Sequence, residues 1–524
     1  MSLGRADRQP SLFDDVDQFC EATLGRDSIY VLLHGERDRL FPDEFFADLF
    51  AELGRRSVPP SVVATVMVLQ RLEGCSDREA VERYSFDARW RYAAGVGGYD
   101  GGGWGRFAHT VLVDMRERLR HSERPDRVFE VTLEAARAAG LVGRRRVLDS
   151  TPLYDAVTTM DTVTLIRSAL RGLLRAADAV LAGELRSVLR SGDDYTSAAK
   201  PQIDWDDAAT RAELIESRAQ DAAACLALLD GRTLDPGVAE AVALLATVVA
   251  QDLEEDADGH LRIARRVARE RVISTVDPEA RHGHKTAAHS FDGYKAHVAI
   301  DPDSELITAT VVTPGNAGDG SVAANLISDV LADTAAERPV VYGDQAYGSG
   351  AFQELLAAAG IESRCKTQQP SAPGGLFAKD RFQVDLATDS VSCPAGVTVV
   401  LRRRHDGSGT ARFGDACTTC PLRVDCTTAP RGRSIRVGPH EAALVQARAR
   451  QADPAWRDDY RATRPKVERK LAHLMRRWHG ARHARVRGTI RIGADFSWLA
   501  AGVNLVRLAV LGLRGLPAAG WVTT

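Results

Sequence analysis

Three acids, a cluster of cysteines and a run of arginines are the residues of this 524-residue chain whose types and spacing could do chemistry. Asp344 follows Val340-Val341-Tyr342-Gly343, a short apolar run ended by glycine, which reads as a buried strand presenting the aspartate at its carboxyl end. In open α/β sheets that edge is where ligands and reacting groups gather. Asp149 closes a second strand signal, 144–149, just before Ser150-Thr151-Pro152, and Glu468 lies in a basic stretch that reads as helix. Carboxylate oxygens are the donors Mg²⁺ prefers, and two such ions ~3.5–4 Å apart stabilise the attacking and leaving oxygens of phosphodiester chemistry. Asp149 and Asp344 stand 195 residues apart, and Glu468 follows 124 residues later, so only the fold can join them. Taken singly, Asp149 reads as a turn former, Asp344 as a strand-end cap and Glu468 as the i, i+4 partner of Arg464. Their joint occurrence is what points to a metal site.

Tyr460, Arg464 and Glu468 recur at i, i+4 and i+8, so one helix face would aim the arginine and the glutamate at the same phosphate. Pro465 interrupts that face, since proline fits best in a helix's first turn. The net charge of −3 offers nucleic acid no global attraction, but residues 455–514 hold fourteen Arg and Lys against four acids. That local excess suits a polyanion. Within it Arg482, Arg485 and Arg487 sit in a Gly-flanked stretch from which guanidinium groups could reach successive phosphates. Upstream, Lys285, His289 and Lys295 sit in a segment that reads either as a phosphate contact or as a plain solvated loop.

Five of the eight cysteines, Cys20, Cys75, Cys225, Cys365 and Cys393, are scattered, whereas Cys417, Cys420 and Cys426 bunch together. That pattern suggests a metal rather than a disulfide framework. With Cys393, or with His405 as a substitute, they would close a structural tetrahedral zinc site; reduced structural cysteines are the other reading.

In combination these residues resemble a DDE transposase of a bacterial insertion sequence, and most closely the group called, in words, IS eleven-eighty-two. The resemblance rests on Asp149 before Ser-Thr, on Tyr342-Gly-Asp-x-x-Tyr347, and on Glu468 followed by His479-Gly-x-Arg-x-x-Arg-x-Arg-Gly, and it runs from about residue 40 to 511. It implies a ribonuclease H-like catalytic core in which Asp149, Asp344 and Glu468 are the catalytic metal ligands, with Mg²⁺ or Mn²⁺ as cofactor. The implied partner is double-stranded DNA, both element ends and target, gripped in part by an InsH-type amino-terminal domain. Pairing two ends implies at least a dimer. Tyr460, Arg464, Arg476 and Lys295 would touch DNA. Two departures stand out: the Tyr460-to-Arg464 gap is one residue longer than is common in the family, and Met475 occupies the position of an expected lysine, with Arg476 beside it to take over its phosphate contact.

The elements that must position these groups make an α/β fold with helical additions. Residues 1–125 read as a helical amino-terminal domain, in which Ser76 and Glu79 have capping-box spacing and a second helix restarts near Asp87. That pair is either a helix-turn-helix or a plain hairpin with Trp90 and Tyr92 in its core. Residues 96–105 read as a Gly-rich loop. The catalytic core takes 140–156, 274–370 and 455–514, with Thr151-Pro152 ending the first strand, a hairpin at 293–301 and 306–313, helices near 320–334 and 352–359, and a strand at 361–365. Residues 157–273 read as a helical insertion broken by a polar loop at 191–206, and 385–435 as the cysteine-bearing insertion. A signal-peptide core and any run of eighteen apolar residues are lacking, so the expected location is the cytoplasm, at the nucleoid when on DNA. Three functions remain open at this point: a transposase, a nuclease of the same fold without strand transfer, and a non-catalytic DNA-binding descendant.

Overall fold

The computed structural model describes residues 15–97, 106–155, 159–193, 195–255, 261–264, 267–286, 289–332, 337–517 and 520–523. The expected Gly-rich loop lies largely outside them. A six-stranded sheet holds the centre, its strands numbered here in chain order: β1 (Arg145–Tyr154), β2 (Arg281–Thr286), β3 (His289–Ile300), β4 (Ile307–Pro314), β5 (Val340–Gly343) and β6 (Glu362–Cys365). β3 runs antiparallel to β1, β2 and β4, while β1, β5 and β6 run parallel side by side, giving the order β2-β3-β1-β5-β6 with β4 also paired to β3. The parallel step from β5 to β6 is bridged by a helical crossover, while the chain between β1 and β5 passes through the helical insertion and β2, β3 and β4.

Alternation along the strands fixes two cores. Val147, Val298 and Tyr342 enter one buried cluster, and their neighbours Leu148, Ala299 and Val341 enter another on the opposite face. The second face is covered by helix Gly350–Ala358 and by a segment expected as one helix near 320–334. That segment is three short turns, Asp319–Val322, Ala323–Leu326 and Ser328–Leu331, because Val322 and Ile327 leave helical geometry with ψ of 4° and 17°. The first face is covered by the long helix Thr489–Val510, which also packs against helix Pro60–Leu72, a segment buried on all sides. The amino-terminal helices therefore share one core with the sheet.

Pro152 does not end β1, which continues to Tyr154. Tyr154 donates its N–H away from β3, to the carbonyl of Arg482 at 2.8 Å. Pro152, two residues earlier, points its missing donor the same way and costs the β1–β3 ladder nothing. In the amino-terminal hairpin Ser76 and Glu79 form the capping box, and Ala88–Ala94 restarts with Asp87 as its cap. Trp90 and Tyr92 are buried, Arg89 is held by Asp87, and Arg91 is buried against the Gly97 carbonyl.

The helical insertion forms Thr162–Ala176, Ala179–Val188, Ala208–Leu229 and Pro236–Asp252 around its own core, where Cys225 is packed. The cysteine-bearing insertion is a five-stranded antiparallel meander from Gln383–Asp385 to Ser434–Val437, built on Val391, Leu401, Phe413 and Ile435.

Asn504 ties the long helix to the sheet: buried, it accepts from the Ile307 N–H and donates to the Ile307 carbonyl, both at 2.8 Å. Asn504→Ala strands both groups in a dry core and should cost about 2–3 kcal/mol. Urea unfolding checks this; a midpoint within error of the parent would show that water reaches Ile307.

Candidate active site

Gly343 ends β5 because nothing larger fits, an added Cβ lying 2.8 Å from that of Tyr347. Asp344 follows, and its carboxylate accepts the Ala346 N–H at 2.9 Å, closing a tight turn at the sheet's carboxyl edge. Asp149 lies on the neighbouring strand. One of its oxygens accepts the Ser150 N–H at 2.9 Å and stands 2.9 Å from Nη2 of Arg464. Burial pushes Asp149 up to about 6; Arg464 and the Ser150 N–H oppose that rise, and the charge of Asp344 adds to it.

Arg464 is the junction between helices Pro454–Thr463 and Pro465–Leu474. It keeps helical geometry (φ −57°, ψ −39°), so Pro465 falls in a first turn, where its missing donor is harmless. Tyr460, Arg464 and Glu468 thus stay on one face. Arg464 is buried against Asp149 and within the field of Asp344, and its Nε and Nη1 have no hydrogen-bond partner among the described residues. Glu468 approaches Nη1 at 3.5 Å, but its side chain is 63% exposed. The structure therefore pairs Asp149 with an arginine, places Asp344 at the end of the neighbouring strand, and sets the third acid at the rim. Among the described residues no three His, Cys, Asp or Glu side chains stand together at metal-binding spacing.

A cavity of ≈540 Å³ opens beside Arg464, with Lys366, Arg448, Arg457, Arg461 and Glu468 on its walls. Lys366 and Arg448 escaped the sequence reading because they come from a loop and a helix outside the basic carboxyl-terminal stretch. Tyr460, expected to touch DNA, is a buried strut: its ring stacks on Trp456 and its hydroxyl donates to the Gly343 carbonyl at 3.3 Å. Lys295, expected to touch phosphate, is also turned inward, its ammonium donating to Asp319 and to the Ala317 carbonyl, both at 2.9 Å. Both side chains face inward in this structure, and spacing shows neither which face of an element is inside nor what waits there; Tyr460 still borders the cavity.

Arg476, Arg482, Arg485 and Arg487 are exposed, as are Lys285 and His289 at the β2–β3 turn. The segment carrying the arginines is stitched to β1, for besides the Tyr154 N–H on Arg482, the Ala484 N–H donates to the Tyr154 carbonyl at 2.8 Å. The basic run therefore extends from the strand that carries Asp149. A further cavity of ≈630 Å³ is bordered by Arg476, Arg477 and Arg482.

Cys393, Cys417, Cys420 and Cys426 line one cavity of ≈20 Å³ in the small meander, so the fold returns Cys393 to the three that bunch in sequence. Burial pushes the Cys426 thiol up, and the other three cysteines lie near enough to add to that shift. His405 is exposed and is not among the residues bordering this cavity.

Three family models match the chain. One described as a transposase domain (DUF772) matches residues 22–118, and two described as transposase DDE domains match residues 259–372 and 392–509. No curated protein and no solved structure matches it. Over these three segments the chain is similar to transposase domains, two of them of the DDE type.

Because the folded pKa of Asp149 lies above the ordinary carboxylate value, the folded state holds a proton that the unfolded state has released. This group therefore lowers stability as pH rises from about 4 to about 6. Arg464→Gln removes the opposing charge and should raise that pKa further, so its stability deficit should be larger at pH 8 than at pH 5 in thermal melts. A deficit independent of pH would show that Arg464 does not carry the charge of Asp149.

Proposed function

We propose that the chain is a transposase of the IS eleven-eighty-two-like group, which binds terminal inverted repeats, cuts phosphodiester bonds and joins the freed 3′-hydroxyl to target DNA. The observation that carries this reading is Arg464: a buried guanidinium paired with Asp149, with two N–H groups that lack hydrogen-bond partners beside an arginine-lined cavity. One amino group stays on Asp149, and a phosphate oxygen entering the cavity would satisfy the others. Lys366, Arg448, Arg457 and Arg461 would surround the same strand of DNA.

The strand order, with β3 antiparallel to its neighbours and β1, β5 and β6 parallel, supports a ribonuclease H-like core. Oxygen donors of like charge on adjacent strands suit a hard divalent cation, and the balance Arg464 supplies marks the place where positive charge is wanted. Asp149 and Asp344 would hold Mg²⁺ or Mn²⁺, with Glu468 completing the set from the helix rim; such ions, when bound, stabilise charge on the attacking and leaving oxygens. The exposed arginines 476, 482, 485 and 487 and the amino-terminal domain would grip the duplex, and pairing of two ends would take at least two copies. A nuclease of the same fold without strand transfer is separated by product analysis alone, while a non-catalytic descendant would have no need for these acids. Among the described residues no helix is long and apolar enough to cross a membrane, and work on DNA would place the chain in the cytoplasm, at the nucleoid.

In the meander, Cys393, Cys417, Cys420 and Cys426 would bind one structural zinc, whose four bonds would brace a unit with a small core. Purified protein should carry about one zinc per chain; metal analysis finding none, with all four thiols titrating freely in the folded protein, removes this assignment.

For catalysis, Asp344→Asn keeps the side-chain volume and removes a ligand charge. Cleavage of a duplex bearing the element's end should fall by at least about a thousandfold, while binding in EDTA stays within a few fold, because removing a metal ligand removes several kcal/mol of transition-state stabilisation. Glu468→Lys should behave alike. Near-parental cutting by either variant ends the assignment of that acid.

A further inference from the structure

Directly behind Asp149 lies a polar cluster that the reading so far does not use. Alternation turns Ser150, Lys295 and His297 to the face opposite Asp149, for Ser150 pairs with His297 across the ladder and shares the parity of buried Leu148. There the Ser150 hydroxyl donates to one oxygen of Asp319 at 2.6 Å, and the Lys295 ammonium donates to the other at 2.9 Å. Both charged side chains are largely buried, at 11% exposure for Asp319 and 16% for Lys295. Beside them, fully buried His297 meets the hydroxyls of Tyr347 at 3.1 Å and Thr313 at 2.9 Å. The cluster reaches both acids: Tyr347 donates its backbone N–H to the Asp344 carbonyl at 3.2 Å, and its side chain lies within the fields of Asp319, Asp149 and Asp344 together.

An ammonium buried behind a cation site is an odd choice, because its field opposes the arrival of a second cation. Asp319 is what makes it tolerable. It comes from the turn after β4, far from both acids in sequence, and reaches in to cancel that charge.

We propose that Asp319 is a positioning residue for the metal site. It pins the strand next to Asp149 through Ser150, and it neutralises Lys295 so that the pair Asp149 and Asp344 keeps its net attraction for a divalent cation. This rests on the reading of Asp149 and Asp344 as the metal-holding pair. Lys295 in turn holds the Asp319 carboxylate in place while taking no part in DNA contact.

The test is Mn²⁺ binding to the full-length protein without DNA, followed by calorimetry or by the electron-spin signal of free Mn²⁺. Asp319→Asn is isosteric and exposes the charge of Lys295, so affinity should fall about tenfold, with DNA binding in EDTA unchanged. Asp319→Asn combined with Lys295→Met removes both charges and should return affinity to within about threefold of the parent, a rescue that a purely structural role would not give. Lys295→Met alone leaves Asp319 unopposed and should tighten Mn²⁺, which keeps the inference testable if Asp319→Asn fails to fold. Unchanged affinity in Asp319→Asn, or a double variant as weak as that single one, overturns the inference. Asp149→Asn separates the two layers. If it abolishes Mn²⁺ binding while Asp319→Asn does not weaken it, the metal reading stands without this inference, and if it leaves Mn²⁺ binding intact the metal reading falls and takes the inference with it.

Discussion

Two carboxylates on neighbouring strands, both partly withdrawn from water, repel each other, and a fold that places them there must supply positive charge. In this chain the charge comes from Arg464, and much of the carboxyl-terminal half is arranged to deliver it. Helix Pro454–Thr463 is laced to the parallel strands by side chains. Tyr342 donates to Asp459 at 2.8 Å, Arg145 donates to Tyr342 at 2.8 Å and to Thr463 at 3.0 Å, and Tyr460 donates to the Gly343 carbonyl. These contacts fix the helix end to the strands that bear the two acids. Arg464, the next residue, then has no freedom to point elsewhere. That rigidity explains why a buried guanidinium is left with two unsatisfied N–H groups, a costly state unless something else is meant to meet them.

The same sheet uses its two faces for different work. On the face of Val147 and Asp149 stand Arg464 and the basic cavity, where negatively charged substrate would arrive. On the reverse, with Leu148 and Ser150, a neutral pair of Lys295 and Asp319 supports the strand from inside the fold. Period-two alternation makes this division sharp, since a one-residue slip of β1 would send Asp149 into the reverse core and Ser150 to the cavity. The register is held by eight paired positions between β1 and β3 and three between β1 and β5.

The end of the Asp344 strand is legible because an apolar run closed by glycine is a local signal, whereas Asp149, read as closing its strand, lies in the middle of β1. The hairpin, the helical insertion and the small cysteine unit were legible from local signals as well. Side-chain direction was not. Lys295 reads as a free cation in a polar stretch, yet its partner Asp319 lies 24 residues on, beyond any local pattern. The i, i+4 spacing of Arg464 and Glu468 shows one of the arginine's partners, at 3.5 Å, but not the closer one at 2.9 Å, Asp149, in another part of the chain. Pro152 was misjudged as a terminator because its fitness depends on which edge its missing donor faces, and that is a property of the assembled sheet.

The shared core of the amino-terminal helices and the sheet has a mechanical consequence. Arg71, in the buried helix Pro60–Leu72, donates to Asp495 at 2.9 Å and to the His479 carbonyl, while His479 contacts the Leu72 carbonyl and Arg485 donates to the Cys75 carbonyl. The arginine segment is thus clamped to the amino-terminal domain on one side and stitched to the end of β1 on the other. A duplex held by Arg482 and Arg487 would load the strand of Asp149 through two backbone hydrogen bonds at Tyr154, with no flexible linker between grip and chemistry. Small displacements of the bound DNA would therefore be felt at the carboxylates, because closely packed elements transmit strain instead of absorbing it. In such an arrangement, recognising an end and aligning the cutting site are one event.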